Sequence, residues 1–414
     1  MEQKNFQDIF NSMIYGRYFT AREIQYDNNA NIFMNPFDYN NFLDFKDKLI
    51  DANNKFAIKL DLRSFNSKYI SFFKGYDLLF KENEYYKLIN EDFDQHKLPL
   101  FFRTMDAMTK SRIYSELEGT LNIEAVQTTR KAVEELSNGK RDPKTRNDHV
   151  IKNMANGIEF LGKFPEFNEE NLFKLYQILT EGCLDDEDKL PEGSYYRNDG
   201  VEVGKYKGCP VNEIKPCMES LFIFVNKNLK GTELTAYLPH IAHYYIVYVH
   251  PYFDYNGRTA RMVSYWLSLL TNKNVLPPLV SEAINQSKSR YYYALEETRD
   301  SHNDLTYFLI YIYDVSVKYF LTYKNVEEIS DYLKNKAILL SDLEKNYIKK
   351  ILISCKGKFT HQDFTSWIGV DMSKQGALKI LNNFADSGIL NIVSNDSNKK
   401  LFEVNHSLIK YRTN

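Results

Sequence analysis

Apolar residues recur at three- and four-residue spacing along most of the chain, which predicts a mainly helical protein. The pattern is clearest over 211–228, where Ile214, Met218, Leu221, Phe222 and Val225 share one stripe. Comparable patterns predict helices over about 149–163, 170–182, 234–249, 257–271, 282–299 and 305–322. A helix over about 101–119 is expected to stop at Gly119. In residues 1–97 the short apolar clusters Phe42-Leu43-Phe45 and Ile70-Ser71-Phe72-Phe73 suggest a small helical region. One segment departs from the helical pattern. Residues 193–210 place β-prone runs between Gly193, Gly200, Gly204 and Gly208, which predicts a hairpin.

Beyond a charged connector, 324–336, the pattern changes again. Helices are predicted over 341–354, 360–368 and 373–387, the last capped by Ser373 and ended by Gly388. Short strands at 389–393 and 400–404 flank a polar turn. Three helices followed by a hairpin predict a winged helix-turn-helix. The chain is thus expected to have three parts: an N-terminal region, 1–97; a core, 98–330; and a C-terminal module, 338–414.

Composition narrows the function. The 414 residues are 43% hydrophobic and carry a net charge of −2, which excludes a disordered chain and a uniformly basic nucleic-acid binder. The charge is unevenly placed: residues 338–414 hold 11 Lys/Arg against 7 Asp/Glu, about +4, leaving about −6 elsewhere. Four cysteines with no C-x-x-C pair signal neither a zinc ribbon nor a disulfide framework. The first residues mix charges of both signs, so no signal peptide is expected. The most apolar stretch, 307–321, contains Asp314 and Lys318 and is predicted to be a buried helix. A cytoplasmic protein with reduced thiols, and no membrane partner, is the expectation.

The chemistry concentrates between two apolar helices, in His250-Pro251-Tyr252-Phe253-Asp254-Tyr255-Asn256-Gly257-Arg258-Thr259-Ala260-Arg261. Pro251 ends the first helix and Asn256-Gly257 opens the second. The second helix's N-terminus offers unpaired N–H groups and the positive end of its dipole, a site for phosphate. Arg258 and Arg261, three residues apart, share a face there and can grip a polyphosphate. Asp254 precedes the turn, placed to hold a Mg²⁺ that bridges phosphates. His250 can take a proton from an incoming hydroxyl. Together these residues point to nucleotide chemistry. His240 and His243, also three apart, lack a third ligand nearby and are expected to be structural.

This twelve-residue segment resembles the signature of the Fic (Fido) family of AMP-transferring enzymes, H-x-F-x-[DE]-G-N-G-R-x-x-R. The helix before it, the 281–295 segment with its paired tyrosines, and the 192–206 hairpin resemble the same family, so the likeness extends over roughly 100–325. It implies a Fic-type helical bundle with a β-hairpin flap. By position, His250 would be the general base, Asp254 the Mg²⁺ (or Mn²⁺) ligand, and Asn256, Gly257 and Arg258 the anion hole. Arg261 would hold the γ-phosphate of ATP, Tyr292 would flank the adenine, and Val203, Gly204, Lys205 and Tyr206 would form the flap on which a target protein docks. Gly257, where related Doc-type kinases carry Lys, favours AMP transfer to a Tyr, Ser or Thr hydroxyl.

Two positions depart from the signature. Tyr252 replaces Phe, a mild change. Tyr255 replaces the first Gly; a need for φ > 0 would strain it, whereas use of its backbone N–H alone would not, and the second is expected. The motif [ST]-x-x-x-E-[GN] of the family's inhibitory helix is matched in part by Glu118 and Gly119, so Glu118 is expected to pair with Arg261 and exclude the γ-phosphate. The resemblance leaves two other readings open: removal of AMP at the same site, and a DNA-binding regulator with a degenerate nucleotide-sensing core. Self-modification, a homodimer and DNA contact through the winged helix complete the expectations.

Overall fold

The computed structural model describes residues 11, 13–20, 22–23, 39–52, 55–66, 68–93, 107–126, 128–271, 280–368, 372–396 and 399–411. It divides into two compact units, 1–316 and 317–414. The fold is mainly helical. In order, the first unit contains α1 (Tyr39–Asp51), β1 (Ala57–Lys59), β2 (Ser71–Phe73), α2 (Tyr76–Phe93), α3 (Ala107–Ile123), α4 (Arg130–Ser137), α5 (Arg146–Leu161) and α6 (Glu169–Thr180). It continues with β3 (Glu202–Val203), β4 (Tyr206–Lys207), α7 (Val211–Asn228), α8 (Leu238–Val249), α9 (Asn256–Thr271), α10 (Val280–Asn285) and α11 (Lys288–Asp300). Helix α12 (Thr306–Lys334) runs from the first unit into the second, which adds α13 (Asp342–Ser354), α14 (His361–Ile368), α15 (Lys374–Asp386), β5 (Leu390–Asp396) and β6 (Lys399–Val404).

Helices α8 and α9 are the centre of the first unit. Both are buried on nearly every side, and Ile241, Ala242, Tyr245, Ile246, Val249, Val263, Trp266 and Leu267 are fully buried. Trp266 Nε1 donates to Pro165 O at 3.0 Å, so even the buried indole is satisfied. Local signals set the surrounding helices. Thr145 and Asp148 form a capping box at the start of α5, and Asn168 caps α6.

Residues 70–73 form a strand rather than a helix. Ser71–Phe73 pairs antiparallel with Ala57–Lys59, and every residue of it is buried. An apolar run buried on both faces gives no helical or alternating period to read. The hairpin is fastened to the start of α12: Leu305 N donates to Ser71 O at 2.8 Å, and Phe73 N to Thr306 Oγ1 at 2.7 Å. Beside it, Lys46 pairs with Asp304, and Tyr18 donates to the same carboxylate at 2.7 Å, all three side chains buried. The described part of residues 1–97 is therefore built into the first unit.

Helix α3 does not stop at Gly119; it continues to Ile123, and residues 101–106 of the predicted helix lie outside the described residues. Gly119 instead allows close packing, since a Cβ there would lie 2.5 Å from Glu282 N on α10. The predicted connector at 324–336 is helical through Lys334.

The second unit has its own core, including Val326, Ile329, Ile348, Ile351, Phe364, Leu381, Phe384 and Phe402. Ser341 and Glu344 form a capping box for α13, and Ser373 caps α15. Strands β5 and β6 pair antiparallel with an irregularity between Ile392 and Ser394. Phe359, before α14, exchanges both backbone hydrogen bonds with Phe402 of β6. Three helices with a hairpin is the arrangement expected of a winged helix. Among the described residues, no helix is long and apolar enough to cross a membrane.

Candidate active site

The predicted site residues converge where α8 ends and α9 begins. His250 follows α8 in the left-handed region, φ 54°, and its N–H donates to Ile246 O at 2.8 Å. The loop after it is clamped by Asn256, whose side chain accepts from Tyr252 N at 3.0 Å and donates to Tyr252 O at 2.8 Å. The Asn256 side chain is thus spent on the loop, and its share of an anion hole falls to the backbone N–H groups at the start of α9. Tyr252 stacks on Tyr176, ring centroids 3.8 Å apart, and is buried, so its replacement of Phe is accommodated.

Burial lowers the His250 pKa to about 4, Arg197 and Arg299 acting in the same direction and the Val247 backbone and Asp254 against it. The imidazole is neutral at pH 7 and able to accept a proton. Sequence reasoning gave no role to Arg197, which holds this geometry. Its Nε donates to His250 O at 2.8 Å, its Nη2 to Cys209 O at 2.5 Å, and its backbone N–H to Pro251 O at 3.0 Å. Cys209 N in turn donates to Val249 O at 3.2 Å. The base of the β3–β4 flap is thereby strapped to the loop bearing His250.

In the flap, Gly204 makes the turn at φ 62°, and Val203, Gly204 and Lys205 are exposed. Tyr206 points the other way. Its hydroxyl donates to Tyr248 O, and Arg299 sits 4.3 Å above its ring, so it pegs the flap to α8 and α11.

Arg261 is buried and gripped from α3, but by a different carboxylate from the one expected. Its Nη2 donates to Glu124 Oε1 at 2.6 Å and its Nε to Thr120 Oγ1 at 2.9 Å. Glu118 pairs instead with Arg130 of α4 at 3.1 Å, and Arg130 also donates to Ser115 and Glu134. The physical reason is rotation and length: α3 runs past Gly119 to Ile123, which brings Thr120 and Glu124, one turn apart, onto the face toward α9. Thr120-Leu121-Asn122-Ile123-Glu124 carries the Ser/Thr-x-x-x-Glu spacing in full. Ala125 stands at the Gly/Asn position and takes φ 57°, the conformation such a residue would favour. Burial alone would raise the Glu124 pKa, but Arg261, Arg258 and Lys288 outweigh it and hold the carboxyl below its ordinary value. Gly257 makes room for the pair, since a Cβ there would lie 2.8 Å from Glu124 Oε1.

Tyr255 is also not as expected. Its φ is 65°, a conformation that costs a bulky residue about 1–3 kcal/mol. Its buried ring lies beneath Arg258, the guanidinium carbon 3.3 Å from the ring centroid. Asp254 accepts from Tyr255 N at 2.6 Å and faces Arg258 Nη2 at 3.5 Å. Its side chain is 44% exposed, which leaves oxygen available. A single open carboxylate beside a phosphate site suits Mg²⁺, which takes its remaining ligands from water and phosphate oxygens. Among the described residues no group of three or more His, Cys, Asp or Glu could hold a metal. Tyr292 is half-exposed on α11, next to buried Tyr291, and feels the charges of Glu124 and Arg261. His240 and His243 are both buried, and His243 Nε2 hydrogen-bonds Tyr291 OH at 2.8 Å, the structural role expected.

Residues 166–268, which include this loop, match the family model described as Fic/DOC family. The chain carries a Fic domain. Over 127 residues it is 26% identical to the protein adenylyltransferase Fic of Drosophila willistoni and 27% identical to that of Drosophila melanogaster. Each alignment spans 31% of this chain and 24% of the relative, about a quarter of the relatives' length. A Fic family protein from Desulfovibrio desulfuricans G20 has the same fold, with a TM-score of 0.50 at 16% identity over 80% of this chain and 96% of that one. The Fic domain thus contains His250, Asp254, Arg258 and Arg261, while Glu124 reaches it from outside the matched residues.

Proposed function

We propose that the chain is a protein adenylyltransferase held inactive by Glu124. The observation that carries this reading is the pairing of a neutral His250 with an anion-binding helix start whose outer arginine, Arg261, is occupied by a carboxylate of the same chain. In the active state Glu124 leaves, and the γ-phosphate of ATP takes its place on Arg261. The α-phosphate then lies at the N–H groups of α9 and Arg258, in reach of a hydroxyl presented along the flap. His250 removes the hydroxyl proton as the oxygen attacks, the bond to the β-phosphate oxygen breaks, and pyrophosphate departs. Asp254 would hold Mg²⁺, which neutralises charge on the α- and β-phosphates. A target backbone would add to the exposed edge of the flap as an extra strand.

The test is intact-mass spectrometry after Mg-ATP treatment of Glu124→Gly and of the double variant Glu124→Gly/His250→Ala. Addition of AMP to the first and not the second is expected; equal labelling of both removes His250 from the mechanism. Release of AMP from a modified protein by the wild-type chain, lost in Glu124→Gly, would make removal the direction of the reaction.

A second reading concerns the other unit. The cap Ser373 and, on α15, Lys374, Gln375, Lys379 and Asn383 are exposed, and Lys356 and Lys358 are exposed before α14. A polar and basic face on the last helix of such a module suits the major groove of duplex DNA. Fluorescence anisotropy of the full chain on duplex DNA should show binding that weakens with salt and with Lys374→Glu/Lys379→Glu. Absence of binding at low salt refutes this reading and leaves the enzyme reading untouched.

A further inference from the structure

We infer that Tyr255 is a positioning residue: its ring is a shelf that fixes the plane of Arg258 for an incoming phosphate. The inference rests on the nucleotide-binding reading of the same site. Tyr255 keeps a left-handed backbone that glycine would take without strain, φ 65°, and keeps its bulky side chain buried there. Strain of this kind persists where the surroundings impose it and where the side chain is used.

What the ring touches shows its use. The Arg258 guanidinium lies face to face on it, 3.3 Å from the centroid. Other contacts to that guanidinium are weak. Asp254 is 3.5 Å from Nη2, and the buried Nε has no hydrogen-bond partner among the described residues. On its far side the Tyr255 hydroxyl is directed toward the buried Cys183 thiol beyond α6. A guanidinium stacked on an aromatic face keeps its N–H edge free, and that edge is what grips a phosphate. Without the ring, Arg258 at the start of α9 would be held by one loose ion pair. Tyr255 thus replaces the backbone freedom of a glycine with a preorganised arginine.

The experiment measures Mg-ATP binding by calorimetry in the Glu124→Gly chain, with Tyr255 intact, Tyr255→Gly or Tyr255→Phe. Tyr255→Gly is expected to unfold at a somewhat lower temperature, because loss of a buried aromatic ring outweighs the strain relieved, and to bind Mg-ATP about tenfold more weakly, the size of a buried cation–π contact. In labelling assays its KM for ATP rises while kcat at saturation holds. Tyr255→Phe keeps the ring and should bind within about twofold of the parent. Undiminished binding by Tyr255→Gly overturns the proposal, as does equal weakening by Tyr255→Phe. If the Glu124→Gly chain with Tyr255 intact binds no Mg-ATP, the nucleotide reading itself fails. The shelf is then judged by a double-mutant cycle of Tyr255→Gly and Arg258→Met in urea unfolding, where strictly additive effects overturn it.

Discussion

Replacing Glu124 with Gly should move activity and stability in opposite directions. In the folded chain the carboxylate lies 2.6 Å from Arg261 Nη2, with the arginine side chain 2% exposed and the glutamate 29% exposed. A hydrogen bond to a charged group is worth about 1.5–3 kcal/mol, and each ~1.4 kcal/mol is tenfold in rate. Freeing Arg261 for the γ-phosphate should therefore raise the initial rate of AMP incorporation about ten- to a hundredfold. The same change leaves a buried guanidinium with Thr120 as its remaining hydrogen-bond partner on α3, so unfolding stability should fall by about 1.5–3 kcal/mol. The assays are labelling with α-phosphate-labelled ATP and urea unfolding, run on one preparation. Glu118→Ala is the matched control. It loosens Arg130, which keeps Ser115 and Glu134, and should change labelling by less than about twofold. A folded Glu124→Gly chain that labels at the wild-type rate refutes the reasoning, and so does a Glu118→Ala chain that labels as fast as Glu124→Gly.

Two further outcomes follow from the interior. Burial lowers the pKa of His240 to about 3, of His243 well below its ordinary value and of His250 to about 4, while it raises Glu116 to about 7. The histidines stabilise the fold fully above pH ~6.5 and lose that contribution as pH falls toward their folded values, whereas Glu116 contributes below its unfolded value near 4.5 and loses its contribution as pH rises through 7. Between pH 4.5 and 6.5 the unfolded chain thus binds up to about two more protons, and stability should fall on acidification by as much as ~3 kcal/mol per pH unit; a melting temperature unchanged from pH 7.5 to 5.5 counts against it. Gly119→Ala would push a Cβ to 2.5 Å from Glu282 N and 2.6 Å from its Cα, forcing α3 from α10 at about 1–3 kcal/mol, read by urea unfolding, where an unchanged midpoint contradicts the packing argument.

The helical order and the central loop were legible because they rest on local signals. The apolar helix α8, the largely apolar run 262–270, the proline after His250 and the Asn256-Gly257 helix start are all written in consecutive residues. What depended on backbone geometry was not. Whether position 255 takes a positive φ is decided by how the loop closes over Asn256, and no property of Tyr announces it. Arg197 reaches the carbonyls of Cys209 and His250, 12 and 53 residues away, so nothing adjacent to it in sequence marks its task. The strand at 71–73 is fixed by partners near residues 57 and 305, again far along the chain.

The two candidate glutamates show how such distant constraints choose between similar letters. Glu118-Gly119 has the glycine of the motif and Thr120…Glu124 has its hydroxyl, so the letters alone leave them nearly level. Three contacts break the tie. Gly119 lies against the Glu282 backbone, Glu116 accepts from Ser281 N at 3.0 Å, and Glu118 is tied to Arg130. With α3 fixed to α10 on one side and to α4 on another, the next turn of the helix has one face left toward α9, and Thr120 and Glu124 occupy it. Glu118 and Gly119 thus do bear on Arg261, but through the helix: they set the position from which Glu124 reaches it. Weakening the Gly119 contact should therefore loosen Glu124 as well as the fold, whereas removing Glu124 leaves α3 where it is.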